Sequence, residues 1–116
     1  MRRIAAVAAV VAALAFPAHA EVSKWNVDVK MADGAKLRAT IYSQGRRVPG
    51  LLLLHQCNSD RRSWDALATS LAKAGLSVMT MDFRGYGESA GAGTPREKMA
   101  ELQAKWPSDV ETAWAF

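Results

Sequence analysis

Hydrophobic and polar positions change their period twice along this chain. Trp25, Val27, Val29 and Met31 alternate with Lys24, Asn26, Asp28 and Lys30. A period of two predicts a strand with one face in water. Ala32-Asp33-Gly34-Ala35 carries the Asp-Gly hairpin signal, and Leu37, Ala39 and Ile41 then alternate with Arg38, Thr40 and Tyr42. The expectation is an antiparallel hairpin at the edge of a sheet, where a solvated face is tolerated. Ser43 to Pro49 reads as a polar loop. Alternation then stops. Leu51 to Leu54 form an unbroken apolar run ending at His55, which predicts a strand buried on both faces, as in parallel sheets.

A helical period begins at Trp64 and runs through Leu67, Ala68, Leu71 and Ala72. It ends at Ala74-Gly75, where Gly suits a C′ position with φ > 0. Leu76 to Met81 is a second apolar run, ending on Asp82. Strand, helix and strand with short links form a βαβ unit with parallel strands and a right-handed crossover. Ligands in such sheets sit beyond the carboxyl ends of the strands. His55-Gln56-Cys57-Asn58 and the segment from Asp82 to Gly87 therefore share one rim, where chemistry is expected.

Past a Gly-rich loop, Thr94-Pro95-Arg96-Glu97 has the form of a helix start, with Thr as N-cap, Pro at N1 and Glu at N3. This helix runs towards Lys105 and is expected to break at Trp106-Pro107. Ser108-Asp109-Val110-Glu111 reads as a second capping box, with Val110, Ala113 and Trp114 on the apolar face. Trp64, Trp106 and Trp114 are expected in the core or at its rim. Phe116 falls about two turns into the last helix. An all-apolar strand at an open edge is an aggregation hazard, so the expectation is the front part of a longer domain.

The first twenty residues alter the charge balance. Arg2-Arg3, the apolar run Ile4 to Phe16 and Ala18-His19-Ala20 have the three-part form of a secretory signal peptide. The apolar run is shorter than the roughly 20 residues that span a bilayer. The expectation is an exported protein, periplasmic or secreted, with residues 21–116 as its folded part and no stable membrane anchor after cleavage. Two of the 15 Lys and Arg residues lie in the leader, leaving 13 against 11 acids. No stripe of Lys and Arg with interleaved aromatics is present, so nucleic acid is not an expected partner. Cys57 is the single cysteine, and His55 is the single histidine after cleavage. Together they cannot complete a zinc set of three or four ligands, and neither a metal nor another cofactor is expected.

The order of motifs is specific. A hairpin, then Leu-Leu-Leu-Leu-His-Gln-Cys-Asn-Ser-Asp-Arg-Arg-Ser-Trp, a helix, and Met-Asp-Phe-Arg-Gly-Tyr-Gly-Glu-Ser together resemble the opening of an α/β-hydrolase. The chain is most similar to the dienelactone-hydrolase and serine-esterase or peptidase-like branch. Trp-Pro-Ser-Asp-Val-Glu-Thr-Ala-Trp resembles the helix before the nucleophile strand of that branch. The resemblance covers residues 22 to 116, and Asp82 to Ser89 is its most specific piece. Gln56 stands where the family more often has Gly.

The resemblance implies an α/β fold: the N-terminal part of an α/β-hydrolase, with an antiparallel edge hairpin and a parallel βαβ unit, ending before the nucleophile-elbow strand. It implies hydrolysis of an ester, lactone or related acyl bond in a small-molecule substrate. It also implies that the backbone N–H of Cys57 donates to the oxyanion hole, with His55 and Gln56 in the oxyanion loop. A preset N–H aimed at the developing oxyanion contributes roughly 3 kcal/mol. In that family the nucleophile, acid and histidine follow in an order that puts all three beyond Phe116. The implication is no triad, and no turnover, in this chain alone.

Gly87-Glu88-Ser89-Ala90-Gly91 is a literal Gly-x-Ser-x-Gly. A nucleophile elbow needs a strand running into the first Gly and a helix leaving the last. Here strand character ends near Asp82 and loop residues follow, so Ser89 reads as part of a turn. His55 reads as a residue that fixes its loop by hydrogen bonding. A Cys57 nucleophile activated by His55 is the competing assignment, although neighbours on a tight turn rarely face one another. Asp82 reads as a loop anchor near Arg84 rather than as a triad acid. From a different class comes a non-catalytic exported binding or interaction module derived from a hydrolase, its leucine edge covered by self-association or a partner strand.

Overall fold

A computed structural model describes residues 21–116; the leader assigned to residues 1–20 lies outside them. Strands β1 (Ser23–Lys30), β2 (Lys36–Ser43), β3 (Gly50–Leu54) and β4 (Ser77–Met81) form one sheet in the order β1-β2-β4-β3. β1 pairs antiparallel with β2, β2 antiparallel with β4, and β3 parallel with β4. Helix α1 (Asp65–Lys73) carries the β3-to-β4 crossover, and α2 (Met99–Gln103) and α3 (Trp106–Trp114) follow β4. Leu54 lies opposite Met81. The two parallel strands therefore end level, and the segments after them leave the sheet side by side.

The hairpin turns at Gly34, whose φ of 86° is open to glycine at no steric cost. The β2 strand departs from the expected wet face: Thr40 and Tyr42 are buried along with Leu37 and Ala39. Of the two hairpin strands, β1 alone lies at an edge. β2 sits between β1 and β4, so both its faces receive helices. The leucine strand departs the other way. β3 pairs on one side only among the described residues, and Leu51 is 39% exposed rather than buried.

Strand alternation divides the apolar residues between two cores. Val29, Met31, Leu37, Ala39 and Met81 pack with Ala113 of α3 on one face. Tyr42 and Val78 pack with Ala68 and Ala72 of α1 on the other. Each large apolar side chain fully removed from water contributes about 1.5–3 kcal/mol, so both helices are held by burial.

A 3₁₀ turn, Arg61–Trp64, leads into α1, and the Asp60 side chain caps it by accepting from the Arg62 N–H at 2.8 Å. The helix closes as predicted. Gly75 (φ 101°) donates to the Ala72 carbonyl and Leu76 to the Leu71 carbonyl, the paired bonds of a Schellman motif.

The last helices begin differently from the expectation. The Thr94 hydroxyl donates back to the Gly91 carbonyl at 2.6 Å instead of capping, and the first turn after Pro95 is 3₁₀. A helix does end just short of Trp106-Pro107, at Gln103, and the pair itself opens α3, because proline's missing N–H costs nothing in a first turn. Asp109 is buried and directed to Arg84, so Ser108-Asp109-Val110-Glu111 forms no capping box. Trp114 is 69% exposed, outside the core.

Candidate functional site

The loop after β4 is organised by buried charge. Asp82 accepts from the Arg61 N–H and from Arg61 Nη1, both at 2.6 Å, and from the Glu88 N–H at 2.9 Å. Arg61 also donates through Nε to Thr40 Oγ1 (2.9 Å) and through Nη2 to Glu88 (3.0 Å). Its guanidinium holds the Glu88 carboxyl below the usual carboxylate range. Asp82 is thus a loop anchor, but its partner is Arg61 and not Arg84. Arg84 instead grips Asp109 at 2.8 and 3.0 Å and Asp33 at 2.7 and 3.1 Å, fastening the β1–β2 turn and α3 to this loop. Those two carboxylates raise the Arg84 pKa, Asp109 most, and Arg84 together with Lys105 holds Asp33 well below its usual range.

Glycine is required inside this loop. A Cβ on Gly87, at φ 52°, would collide with the Asp82 carboxylate, and one on Gly85 would lie 2.8 Å from Met99 Sδ. Ser89 is 4% exposed. Its hydroxyl donates to the Asp82 carbonyl (2.6 Å) and accepts from the Arg38 N–H (2.8 Å). The proton is committed to a backbone carbonyl and no base adjoins it, so Ser89 holds the loop shut.

The loop after β3 is held from the side. His55 is 5% exposed, and its Nε2 accepts from the Phe83 N–H at 2.9 Å while Nδ1 meets the Gln56 carbonyl at 2.8 Å. Phe83 and Tyr86 stand edge-on to the imidazole, at 5.0 and 5.4 Å between centroids. Trp106 stacks on Phe83 at 4.5 Å and donates from its indole to the Arg84 carbonyl at 3.1 Å. With both ring nitrogens engaged, His55 has none free to deprotonate Cys57.

Cys57 is exposed. Its thiol faces the Tyr86 phenol, whose pKa is raised first by burial and then by this neighbour. The Cys57 N–H has no protein acceptor among the described residues. Gln56 adopts no positive φ; the left-handed residue of the loop is Asn58, at φ 70°. A Gly is therefore not needed at position 56. Leu54, His55, Gln56, Ser59, Ser63 and Trp64 line a cavity of about 390 Å³ beside this loop. A larger apolar groove of about 450 Å³ lies away from the rim, between the start of β3 and the exposed Trp114 and Phe116.

The structure thus brings His55, Gln56 and Cys57 to one rim with Asp82 and Ser89, as the parallel register requires. Sequence reasoning missed Arg61, the residue that closes the β4 loop. Its one local signal is its place directly after the Asp60 cap. The aromatic cluster of Phe83, Tyr86 and Trp106 was also missed, since it joins residues from a loop and a distant helix.

No protein-family model matches the chain, and no curated protein matches it. Solved structures do. A hypothetical protein from Pseudomonas aeruginosa aligns with TM-score 0.62 at 22% identity, over 83% of this chain and 32% of that one. The α/β hydrolase GrgF from Penicillium sp. sh18 aligns with TM-score 0.63 at 26% identity, over 79% and 32%. An esterase from Exiguobacterium antarcticum aligns with TM-score 0.57 at 16% identity, over 77% and 32%. The chain spans about a third of the length of each of these structures. Its mixed four-stranded sheet with helices on both faces is part of an α/β-hydrolase fold.

Proposed function

We propose that this chain is the N-terminal part of an exported α/β-hydrolase of the dienelactone-hydrolase or serine-esterase branch. The substrate is a small molecule with an ester, lactone or related acyl bond. The chain's share of the chemistry is the backbone N–H of Cys57, donated to the oxyanion, with His55 and Gln56 shaping the loop. The observation that carries this reading is the unpartnered Cys57 N–H, three residues past the end of β3 on the rim beyond two parallel strands. Attack on a carbonyl places a full negative charge on oxygen, and a preorganised donor there is worth about 2.7–4 kcal/mol. Nucleophile, acid and base are assigned to polypeptide other than residues 21–116, because Ser89 and His55 already have every polar atom in use. Export rests on the three-part leader, and a periplasmic product beginning at Glu21 is the expected outcome of N-terminal sequencing.

Hydrolysis of p-nitrophenyl acetate tests the reading. Residues 1–116 are expected to give no rate above buffer. The reading frame past codon 116 is expected to encode an apolar strand and, within about fifteen residues, Gly-x-Ser-x-Gly or Gly-x-Cys-x-Gly. In that longer product, Cys57→Ala keeps the N–H and the activity, whereas Cys57→Pro removes the N–H and lowers kcat about 10²–10³-fold. Turnover by residues 1–116 that disappears with Ser89→Ala or Cys57→Ala would overturn the proposal.

A further inference from the structure

The hydrogen bonds of His55 determine more than the pose of its own ring. A backbone N–H can only donate, so the Nε2 that meets Phe83 N–H at 2.9 Å is the bare nitrogen. The proton then sits on Nδ1, which donates to the Gln56 carbonyl at 2.8 Å. The opposite tautomer would set two N–H groups against each other and turn a lone pair towards a carbonyl. Each buried group left unsatisfied in that way costs about 1–3 kcal/mol. Phe83 and Tyr86 enclose the ring edge-on, so it cannot rotate to escape the mismatch.

The Gln56 carbonyl and the Cys57 N–H belong to one planar peptide unit. Among the described residues no peptide bond is cis, and in a trans unit these two groups point in opposite directions. Drawing the carbonyl towards the buried imidazole therefore aims the Cys57 N–H away from it. We infer that His55 is a positioning residue for the Cys57 N–H: its Nδ1–H, held in place by Phe83 N–H on Nε2, sets the plane of the Gln56–Cys57 peptide. Its meaning for catalysis rests on the oxyanion reading above; the linkage itself stands on the two hydrogen bonds. Through it the loop after β4, which supplies Phe83, sets the aim of a donor on the loop after β3.

Nitrogen-15 NMR of the protein tests the linkage without any turnover. Long-range proton–nitrogen correlations are expected to show a pyrrole-type Nδ1 and a pyridine-type Nε2 for His55. An Nε2–H ring would overturn the inference, and this measurement needs no variant to fold. Two substitutions then separate the two bonds. The side-chain nitrogen of Asn overlies Nδ1, so His55→Asn keeps the donor to Gln56 and loses the acceptor for Phe83. The longer Gln side chain reaches the place of Nε2, so His55→Gln keeps an acceptor for Phe83 and loses the donor to Gln56. The Cys57 amide resonance is expected to hold in His55→Asn and to move in His55→Gln, with the Phe83 amide doing the reverse. Equal disturbance of Cys57 in both variants would overturn the inference.

In the hydrolysing product, His55→Gln is expected to lower kcat about tenfold or more at unchanged KM, short of the roughly 10²–10³ for outright loss of an oxyanion donor. His55→Asn is expected to retain more of the rate. If the amides respond as described while kcat stays level, the oxyanion reading fails and the linkage stands.

Discussion

Two loops leave the carboxyl end of the sheet side by side, one after β4 and one after β3, and they are built to opposite plans. In the first, the Asp82 carboxylate, the Arg61 guanidinium and the Ser89 hydroxyl are all spent on one another, on Thr40 and Glu88, or on backbone groups. In the second, one buried histidine holds the backbone from behind, and the Cys57 thiol and the polar side chains beside it reach the surface. The difference separates a loop closed on itself from a loop open to solvent. It also explains why a Gly-x-Ser-x-Gly string can occur in the wrong one. Gly87 is there to clear the Asp82 carboxylate and Ser89 to tie the loop to β2.

Substitutions should separate the two loops sharply. Arg61→Ala leaves Asp82 as an uncompensated buried charge, and urea unfolding is expected to show a loss of about 3–5 kcal/mol. Gly87→Ala combines a positive φ with a collision against that carboxylate, and a loss of about 1–3 kcal/mol is expected in the same measurement.

A smaller effect belongs to Asp33, whose carboxyl is depressed by Arg84 and Lys105. A depressed carboxylate lends stability above the ordinary value of about 3.9, and that stability is lost as pH falls through this range towards the folded value. Wild-type Tm is therefore expected to fall more steeply below about pH 5 than that of Asp33→Asn, read by calorimetry across a pH series. Smallest of all is Cys57→Ala in the open loop. A change within about 0.5 kcal/mol is expected there, and a loss comparable to that of Gly87→Ala would erase the contrast between the loops.

Much of this was legible from short-range pattern. The hairpin at Gly34, the Schellman close at Gly75 and the level ends of β3 and β4 follow from alternation, turn chemistry and the βαβ rule. The capping boxes at Thr94 and Ser108 were misread, because a Ser or Thr near a Glu does not say whether its hydroxyl or carboxylate has a better partner elsewhere. Asp109 has one in Arg84, 25 residues away along the chain. The fully buried leucine strand was misplaced for a related reason: its pattern reports apolar faces, not how many strands adjoin it.

By itself the sequence determined where the four strands and α1 lie, and which two segments meet at the rim. Periodicity and turn residues act within a few positions and need no knowledge of the rest of the chain. Tertiary structure alone decided that β2 is interior, that Arg61 rather than Arg84 closes on Asp82, and which nitrogen of His55 carries the proton. Each of those depends on which buried donor finds which acceptor once distant segments are packed together, and a buried polar group must take the partner that packing provides.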